Sequence, residues 1–379
     1  MRLHSVLDWY SLILLAAGCW FVLLSLSNAI FFKISRRRTR WNNGPKISVL
    51  IPARNEEDRI LPTLDALDVQ DYADYEVIVI DDNSTDGTWP LIEKYAQEHP
   101  QFQALRGKRL PKGWKGKPFA MTQLGEHAQG DILVFIDADI LPAPDFLAWT
   151  AERMRRHRAD SLSAYARHKA KTVKEYIFFP LMYLVNMTFL PFWLIKHTKT
   201  SLFSHAIGQI MAFRREAYND VGGFEVVKDK ILEDIQMGRA MKRGGFRHVF
   251  LDARKVLAGD MYNSWDHTIS GLKRCIYEYF DKKMYPFIIL SFFIIAFLVA
   301  PVFAVILGII LGWSQTPLLA LGTLGIFVGW ATTLYDRKLP WYTPLFFPVQ
   351  FAFIVFLGWK SLLDDISGRG YDWKGRKVL

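Results

Sequence analysis

Two aspartates, Asp137 and Asp139, have the residue type and spacing needed for both side chains to bind one ligand. They follow five apolar residues, Ile132–Ile136, and such a run predicts a strand buried on both faces. Residues two apart point to the same side of an extended backbone, so both carboxylates can face one ligand. Carboxylate oxygens suit a hard divalent cation that shares its coordination shell with substrate phosphates. The alternative is a surface turn in which the aspartates cap the next helix.

The same arrangement recurs at two earlier strands. Residues 47–51 and 76–80 are short apolar runs, and polar residues follow each of them at 52–57 and 81–86. Predicted helices alternate with these strands, which favours an α/β fold with a parallel sheet and ligands beyond the carboxyl ends of its strands. The first predicted helix is capped by Asn55 and ends near Asp68, and the others cover 88–98 and 117–129. Residues 102–105 are a candidate edge strand.

Glycine-rich phosphate-binding loops are missing from these turns. Neither G-x-G-x-x-G nor a phosphate loop ending in Gly-Lys-Ser/Thr follows any predicted strand. A nucleotide bound here would therefore be held by carboxylates, backbone groups and a metal ion.

The composition indicates that apolar and charged residues are segregated. Of the 379 residues 51% are hydrophobic, yet 22% are charged and the net charge is +10. The positive charge favours an anionic partner, whether lipid headgroups, nucleotide phosphates or nucleic acid. Only two cysteines are present, so no disulfide framework or zinc-ligand spacing exists, which is compatible with a reducing compartment.

The N-terminal part predicts a membrane anchor over residues 1–33. Residues 9–32 form an almost uncharged run long enough to span a bilayer, without the features of a cleaved signal peptide. Basic residues follow this run, and the positive-inside rule then places the next segment in the cytoplasm. These residues are Lys33, Arg36, Arg37, Arg38 and Arg40.

The C-terminal part predicts membrane helices over 285–360. The candidate spans are 285–311, 317–334 and 341–359. A third full span would place the basic tail, 361–379, outside, against the charge rule, so the last segment is left open between a span and a re-entrant helix.

Two further segments are predicted at the membrane surface. Residues 176–195 predict an interfacial or buried hairpin. Residues 261–284 predict an amphipathic interfacial helix, with Lys273 and Arg274 beside its apolar stripe. The stripe consists of Trp265, Ile269, Leu272, Ile276 and Phe280.

Five motifs in order resemble glycosyltransferase family 2. They lie at 49–56, 79–87, 137–139, 206–224 and 231–234, and the resemblance covers about 46–259. It implies the inverting, metal-dependent GT-A fold, a Rossmann-like mixed sheet, as a domain over 46–260 between N- and C-terminal transmembrane helices. It also implies a nucleotide-activated sugar as donor and Mg²⁺ or Mn²⁺ as cofactor.

The resemblance implies roles on the nucleotide side of the site. Pro52, Ala53 and Glu57 would line the nucleobase pocket, and Asp81 or Asp82 would hydrogen-bond the uracil ring. Asp137 would lie near the ribose and the metal, and Asp139 would be the firmer metal ligand.

On the acceptor side, the resemblance implies that Asp234 is the catalytic base. It would remove the acceptor hydroxyl's proton while the diphosphate is displaced from the anomeric carbon of the sugar. The configuration at that carbon would invert. The alternative is that Glu233 and Asp234 begin a helix ending near Arg243 and complement its dipole. Lys112, Lys115 and Lys117 have the charge to bind the diphosphate or to form a solvated loop, and only Lys117 is assigned to phosphate.

One family motif is missing. Processive members carry Gln-x-x-Arg-Trp where this chain has Gly271, Leu272, Lys273 and Arg274, which argues against a polysaccharide synthase. A catalytic domain with membrane segments at both ends favours a lipid acceptor, as in the carotenoid, hopanoid and glycolipid subgroup of the family.

The sequence therefore predicts an integral membrane protein, in a bacterial-type inner membrane, with a cytoplasmic catalytic domain. It would transfer one hexose, with glucose expected, from a UDP-sugar to a membrane lipid, without a nucleic-acid partner. The open alternatives are transfer to a polyprenyl phosphate or a growing polysaccharide, a nucleotidyltransferase, and a non-catalytic membrane scaffold. A nucleotidyltransferase usually needs a glycine-rich loop that residues 52–55 lack.

Overall fold

The computed structural model describes most of the chain. The described residues are 6–36, 41, 43–168, 172–178, 181, 189–259, 265–367, 371–373 and 376–378. Several predictions fall outside them: the basic residues Arg37, Arg38 and Arg40, much of the predicted hairpin at 176–195, and part of the basic tail. The side chain of Arg274 also lies outside the described part.

The chain divides into two compact units. One comprises Met1–Phe31, Ala170–Phe192 and Tyr262–Leu379, and the other comprises Phe32–Lys169 and Trp193–Met261. The sequence predicted a domain over 46–260, and within that range Ala170–Phe192 belongs to the first unit of the structure.

The second unit contains a seven-stranded mixed sheet. Its strands, in chain order, are β1 Ile47–Ala53, β2 Tyr75–Asp81, β3 Phe102–Arg106, β4 Ile132–Ile136, β6 Ser161–Tyr165, β8 Ile210–Arg214 and β9 His248–Asp252, and their order in the sheet is β3-β2-β1-β4-β8-β6-β9. Strands β3, β2, β1 and β4 are parallel, whereas β8 is antiparallel to both β4 and β6. β3 lies at the edge, as predicted.

Two smaller sheets complete the strands. β5 Ile140–Pro142, β7 Arg167–His168 and β10 Leu257–Gly259 form a three-stranded sheet in the order β5-β10-β7. β11 Tyr371–Trp373 and β12 Arg376–Val378 form an antiparallel pair in the tail.

Helices connect these strands and make up the terminal regions. They are α1 Val6–Ser35, α2 Ile60–Asp68, α3 Thr88–Glu98, α4 Gly116–His127, α5 Phe146–His157, α6 Val173–Phe178, α7 Phe192–Ile195, α8 Arg215–Val221, α9 Glu233–Arg243, α10 Trp265–Glu278, α11 Met284–Ile294, α12 Ala300–Leu311, α13 Thr316–Asp336 and α14 Phe347–Ile366. Short 3₁₀ turns cover Gly223–Val227 and Thr343–Phe346, and a π-helical segment, Ile295–Val299, joins α11 to α12.

The predicted start of α2 was wrong. The sequence suggested a helix capped by Asn55, but α2 begins at Ile60. Asn55 has a φ of 51°, in the left-handed region, and its side-chain oxygen accepts a hydrogen bond from the Thr85 N–H at 2.9 Å. The residue therefore fastens one loop to another instead of opening a helix, because asparagine tolerates this conformation and bonds locally.

A cluster of aromatic rings fixes α9 against the sheet. The Phe135 ring of β4 lies 5.0 Å from the Phe224 ring and 6.0 Å from the Phe213 ring of β8, measured between centroids. Met237 and Met241 of α9 are fully buried in the same cluster. Burial of side chains of this size contributes roughly 1.5–3 kcal/mol each. The acidic N-terminus of α9 is thereby held in place by its own apolar face.

The first unit contains helices suited to a membrane. Among the residues that the structure describes, four helices are long and apolar enough to cross one: Val6–Ser35, Met284–Leu311, Thr316–Asp336 and Thr343–Ile366, with 30, 28, 21 and 24 residues. The last of these includes the segment that the sequence left open, and its length is that of a full span.

Glycines let α1 and α13 approach closely. A Cβ on Gly18 would lie 2.5 Å from the carbonyl oxygen of Gly322, and one on Gly325 would lie 2.8 Å from the carbonyl carbon of Gly18. Small residues at such positions allow backbone contact between membrane helices. Larger side chains there would separate the two helices.

The predicted amphipathic segment at 261–284 contains α10. Leu272 of its apolar stripe is buried, and Ile276 and Phe280 pack against Tyr277, Phe287 and Leu362. Lys273 beside the stripe is ion-paired with Asp364 of α14. These contacts engage part of the stripe within the helical unit, so an interfacial position of this helix remains a prediction.

Candidate active site

The sheet topology brings several predicted site residues to one edge. The carboxyl ends of β2, β1 and β4 lie side by side because these strands are parallel neighbours. β8 runs the opposite way, with Ile210 paired to Ile136, so the residues before β8 arrive where β4 ends. Gly208 thereby comes close to Asp137: a Cβ on Gly208 would lie 3.7 Å from Asp137 Oδ2.

Lys117 joins two acidic residues from different elements. Its Nζ lies 2.8 Å from Asp137 Oδ1 and 2.9 Å from Glu233 Oε1. Burial lowers the pKa of Lys117, but the charges of Asp137 and Glu233 outweigh burial and hold that pKa above its usual value. Lys117 is thus a permanent cation between the end of β4 and the start of α9.

Asp234 lies beside this ion pair. Its Oδ2 accepts a hydrogen bond from the Gly208 N–H at 2.8 Å, and its Oδ1 accepts one from the Ile235 N–H at 2.7 Å. Burial, followed by repulsion from Glu233, raises the pKa of Asp234 to about 7. A carboxylate with a raised pKa is a better proton acceptor near neutral pH. Asp137, Lys117, Glu233, Asp234 and Gly208 are called the acid cluster below.

Asp139 has a different partner from Asp137. Its Oδ2 lies 3.2 Å from Arg59 Nη1. Both aspartates follow the end of β4 in a turn instead of an extended strand, so the two-residue alternation that predicted a common direction does not apply. The structure shows each carboxylate beside its own cation.

The nucleotide-side residues lie on the neighbouring loops. Asp81 and Asp82 are buried at the end of β2, and the Asp82 N–H donates to the Ala53 carbonyl at 2.7 Å. Pro52 is half-buried in β1. Glu57 is exposed, and its Oε2 accepts a hydrogen bond from the Gly87 N–H at 2.8 Å.

These two loops are fastened together by polar contacts. Arg54 Nη1 donates to the carbonyls of Asp82 and Asn83 at 2.6 and 2.7 Å. With the Asn55 bond to Thr85, these contacts hold the ends of β1 and β2 in one register. Glu57 is therefore engaged in loop structure, besides any role at a nucleobase.

The donor set suits a divalent cation that is shared with phosphate. In the described part of the chain, no group of three or more His, Cys, Asp or Glu side chains is placed to hold a metal ion. Asp137 and Asp139 offer hard carboxylate oxygens, and Mg²⁺ is commonly held by one or two carboxylates plus substrate phosphates. The residues present fit that mode of binding, and they do not fit a cage made by protein alone.

His205, near Gly208, belongs to the core. It is buried, and its Nε2 lies 3.3 Å from the Tyr165 hydroxyl. Burial lowers the pKa of His205 to about 3, so the ring is neutral. It stabilises the segment that leads into Gly208.

Two partners in the site were missed by the sequence reasoning. Arg59, the partner of Asp139, lies between the first motif and α2 without any distinguishing pattern. Glu233 was interpreted as a helix-start residue, but its carboxylate also binds Lys117. Only the proximity of the α4 and α9 starts, a tertiary feature, reveals that contact.

Comparison with known families agrees with this architecture. Residues 48–222 match the family model described as glycosyl transferase family 2. This region is similar to the glycosyl transferase family 2 domain. The resemblance found in the sequence motifs is confirmed.

Curated relatives of the family 2 domain include lipid-modifying enzymes. The beta-monoglucosyldiacylglycerol synthase of Trichormus variabilis is 28% identical over 245 residues, 62% of this chain and 49% of that protein. The 4,4'-diaponeurosporenoate glycosyltransferase of Staphylococcus aureus is 29% identical over 203 residues, 52% of each chain. The chain spans about half the length of these curated relatives.

A solved structure supports the fold over nearly the whole chain. The mannosyltransferase PcManGT from Pyrobaculum calidifontis, in complex with GDP-Man and Mn²⁺, matches 94% of this chain and 99% of its own, with a TM-score of 0.56 and 21% identity. At this identity the likeness concerns the fold alone. The predicted GT-A fold with terminal apolar helices is confirmed.

Proposed function

We propose that this protein is an integral-membrane, metal-dependent, inverting glycosyltransferase that moves a single hexose from a nucleotide sugar to a lipid acceptor. The observation that carries the proposal is the acid cluster. Asp234 meets the start of β8 through Gly208, and Lys117 links Asp137 to Glu233. The carboxylate proposed as base and the one proposed on the phosphate side therefore lie at the same edge of the sheet.

The donor would lie across the ends of β1, β2 and β4. Asp81 or Asp82 and the β1 end would face the nucleoside, and Lys117 would face the diphosphate as a point charge. A bound Mg²⁺ or Mn²⁺ would be held by Asp137 and Asp139, and it would stabilise negative charge on the departing nucleoside diphosphate.

Asp234 would act on the acceptor. Two backbone N–H groups fix its carboxylate, so its oxygens have a defined direction. The carboxylate takes the proton of the acceptor hydroxyl, the acceptor oxygen forms a bond to the anomeric carbon, and the bond from that carbon to the diphosphate oxygen breaks. One carboxylate base with attack from the opposite face gives an inverted anomeric configuration.

The lipid acceptor is supported by the helices and by the relatives. Four helices are long and apolar enough to cross a membrane. Two relatives are named a beta-monoglucosyldiacylglycerol synthase and a 4,4'-diaponeurosporenoate glycosyltransferase. We propose UDP-glucose as donor and a lipid hydroxyl or carboxylate as acceptor. The basic residues that follow the apolar part of α1 favour a cytoplasmic catalytic domain.

The test is a lipid-extraction assay. Membranes containing the protein are incubated with radiolabelled UDP-glucose, UDP-N-acetylglucosamine or GDP-mannose, and the lipids are extracted. We expect label in lipid with one donor, a strong loss of label with Asp234→Asn, and full labelling with Asp229→Asn, whose side chain is 62% exposed. No labelled lipid from any donor, or full activity of Asp234→Asn, would overturn the proposal.

Nucleotide binding provides a second test of the site. Wild-type protein is expected to bind UDP more tightly with Mn²⁺ than with chelator, and Asp139→Ala is expected to lose that difference. UDP affinity that is the same with Mn²⁺ and with chelator would exclude the assigned role of Asp137 and Asp139 as metal ligands.

A further inference from the structure

A basic segment connects β3 to α4. Residues 107–115 contain no acidic side chain, and we call them the basic loop. Their basic side chains are Lys108, Arg109, Lys112 and Lys115. The first three are exposed, and none of these three forms an ion pair in the part of the chain that the structure describes.

The start of the basic loop is fastened to the nucleotide side of the site. The Gly107 N–H donates to the carbonyl of Asp81 at 2.9 Å, and Asn83 Nδ2 donates to the carbonyl of Lys108 at 3.4 Å. Lys108 N–H also donates to Gln123 Oε1 of α4 at 2.9 Å. A Cβ on Gly107 would lie 2.8 Å from the Asp81 oxygen, so the backbone contact is close.

The other end of the loop leads into the acid cluster. Two residues after Lys115, Lys117 contacts Asp137 and Glu233. The Lys115 N–H donates to the Lys228 carbonyl at 2.7 Å, and Lys228 Nζ lies 5.8 Å from the centre of the Trp114 ring. The loop thus runs from the nucleoside-side strand end to the acid cluster, with both ends fixed and exposed cations between them.

The charges of the acid cluster create a need for such cations. The cluster contains three carboxylates, Asp137, Glu233 and Asp234, and one ammonium group, that of Lys117. A nucleoside diphosphate entering beside them would be attracted more strongly if further positive charge, in addition to that of a bound metal ion, lies along its path.

We propose that the basic loop binds the phosphate groups of the sugar donor, with Arg109 and Lys112 as its contact residues. The inference rests on the proposed function and names the element that recognises the donor's anionic part. Arginine and lysine bind phosphate oxygens through charge-assisted hydrogen bonds. Lipid headgroups offer the same phosphate chemistry, but the loop's attachment to the end of β2 and to the acid cluster favours the donor.

The test compares nucleotides that differ only in phosphate. Purified full-length protein in nanodiscs of zwitterionic lipid is titrated with UDP and with UMP in the presence of Mn²⁺. We expect Arg109→Ala/Lys112→Ala to weaken UDP binding by roughly tenfold or more, because each charge-assisted hydrogen bond to phosphate that is lost weakens binding by about that factor. The affinity for UMP should change less, so the ratio of UDP affinity to UMP affinity should become smaller in the variant. GDP and GMP replace the uridine nucleotides if GDP-mannose is the donor in the lipid assay.

Two control variants separate recognition from net charge. Lys94→Ala/Arg156→Ala removes the same charge from exposed positions of α3 and α5 and should keep wild-type UDP affinity. Arg109→Lys/Lys112→Arg keeps both charges and should retain most of the affinity. Unchanged thermal unfolding of all three variants shows that the fold is intact.

The outcomes distinguish the two proposals. Wild-type protein that labels lipid, together with an Arg109→Ala/Lys112→Ala variant that binds UDP as tightly as wild type, overturns the loop inference alone. If that variant instead keeps UDP affinity and loses only the stimulation of lipid labelling by phosphatidylglycerol nanodiscs, the loop recognises headgroups, and the inference is again wrong. Wild-type protein that neither labels lipid nor binds a nucleoside diphosphate overturns both proposals.

Discussion

The backbone N–H of Gly208 donates a hydrogen bond of 2.8 Å to Oδ2 of Asp234. This contact connects the segment before β8 to the first turn of α9, two elements that are distant in sequence. The same glycine leaves room for Lys117, since a Cβ on Gly208 would lie 2.7 Å from Lys117 Nζ. One residue therefore orients the proposed base and accommodates the cation beside it.

Gly208→Ala is expected to impair sugar transfer by roughly tenfold to a hundredfold. The added methyl group must displace Lys117 or the 208 backbone, and a lost hydrogen bond to a charged group costs about 1.5–3 kcal/mol. Initial rates of lipid labelling measure the effect. Thermal unfolding within a few degrees of wild type would show that the loss is local, and wild-type transfer by the variant would contradict the assigned role of Gly208.

The rate of transfer should fall as the pH drops below about 7. The pKa of Asp234 is raised to about 7 by burial and by Glu233, so the ionised base predominates above that pH and the protonated acid below it. The rate measured as a function of pH at subsaturating acceptor shows this fall, which is the acid limb of the profile.

Glu233→Gln should shift the acid limb of this profile to lower pH. Removal of the Glu233 charge removes one cause of the raised pKa of Asp234. Glu225→Gln, at a side chain that is 65% exposed, is the matched control and should leave the limb in place. A limb that moves to higher pH, or stays unchanged, in Glu233→Gln would show that another group controls the profile.

The strands and their polar ends were predictable because they depend on local pattern. Ile132–Ile136 was predicted with its bounds, and the helix at 233–243 likewise, since buried apolar runs and a glycine pair mark them directly. The Lys117 contact with Glu233 was not predictable in this way. It depends on where α4 and α9 begin relative to each other, which is decided by packing across the sheet.

The errors also have a common physical origin. The start of α2 was misplaced because Asn55 is a good helix cap by type, whereas in the fold its side chain bonds to Thr85 on another loop. The joint direction of Asp137 and Asp139 was inferred from strand geometry, but the strand ends at Ile136 and that argument does not reach them, so their binding of one ligand stays a prediction. In both cases a long-range contact or a turn overrode a local preference.

Glu57→Ala should lower the free energy of unfolding by about 0.5–1.5 kcal/mol, the usual net contribution of one hydrogen bond. The Glu57 carboxylate accepts the Gly87 N–H directly before α3, and it also joins the two nucleotide-side loops. Denaturant unfolding in detergent measures the change. Glu57→Gln keeps an acceptor oxygen and should lose less, whereas Glu93→Ala, on an exposed position of α3, should be nearly neutral. Equal losses of stability for all three variants would show that the hydrogen bond from the Gly87 N–H to Glu57 does not contribute to stability.

Asp252→Ala is expected to be the most destabilising of these substitutions, by about 3–5 kcal/mol. The Asp252 side chain is 0% exposed, and it binds Arg36 Nε at 2.8 Å and Arg254 Nη2 at 2.7 Å. Its N–H also donates to the hydroxyl of Ser35, the last residue of α1. Removing the carboxylate takes away the anion that both largely buried guanidinium groups contact, which is why the loss exceeds that of a surface pair.

The control for this prediction is an exposed ion pair. Glu98→Ala breaks the pair with Lys94, whose side chains are 59% and 74% exposed, and should cost less than about 1 kcal/mol. Arg36→Ala with Asp252→Ala in one chain should be less destabilising than the sum of the two single changes, because each single change already removes the interaction between the two side chains. Additive losses in this double-mutant cycle, measured by denaturant unfolding, would mean that Asp252 and Arg36 do not interact.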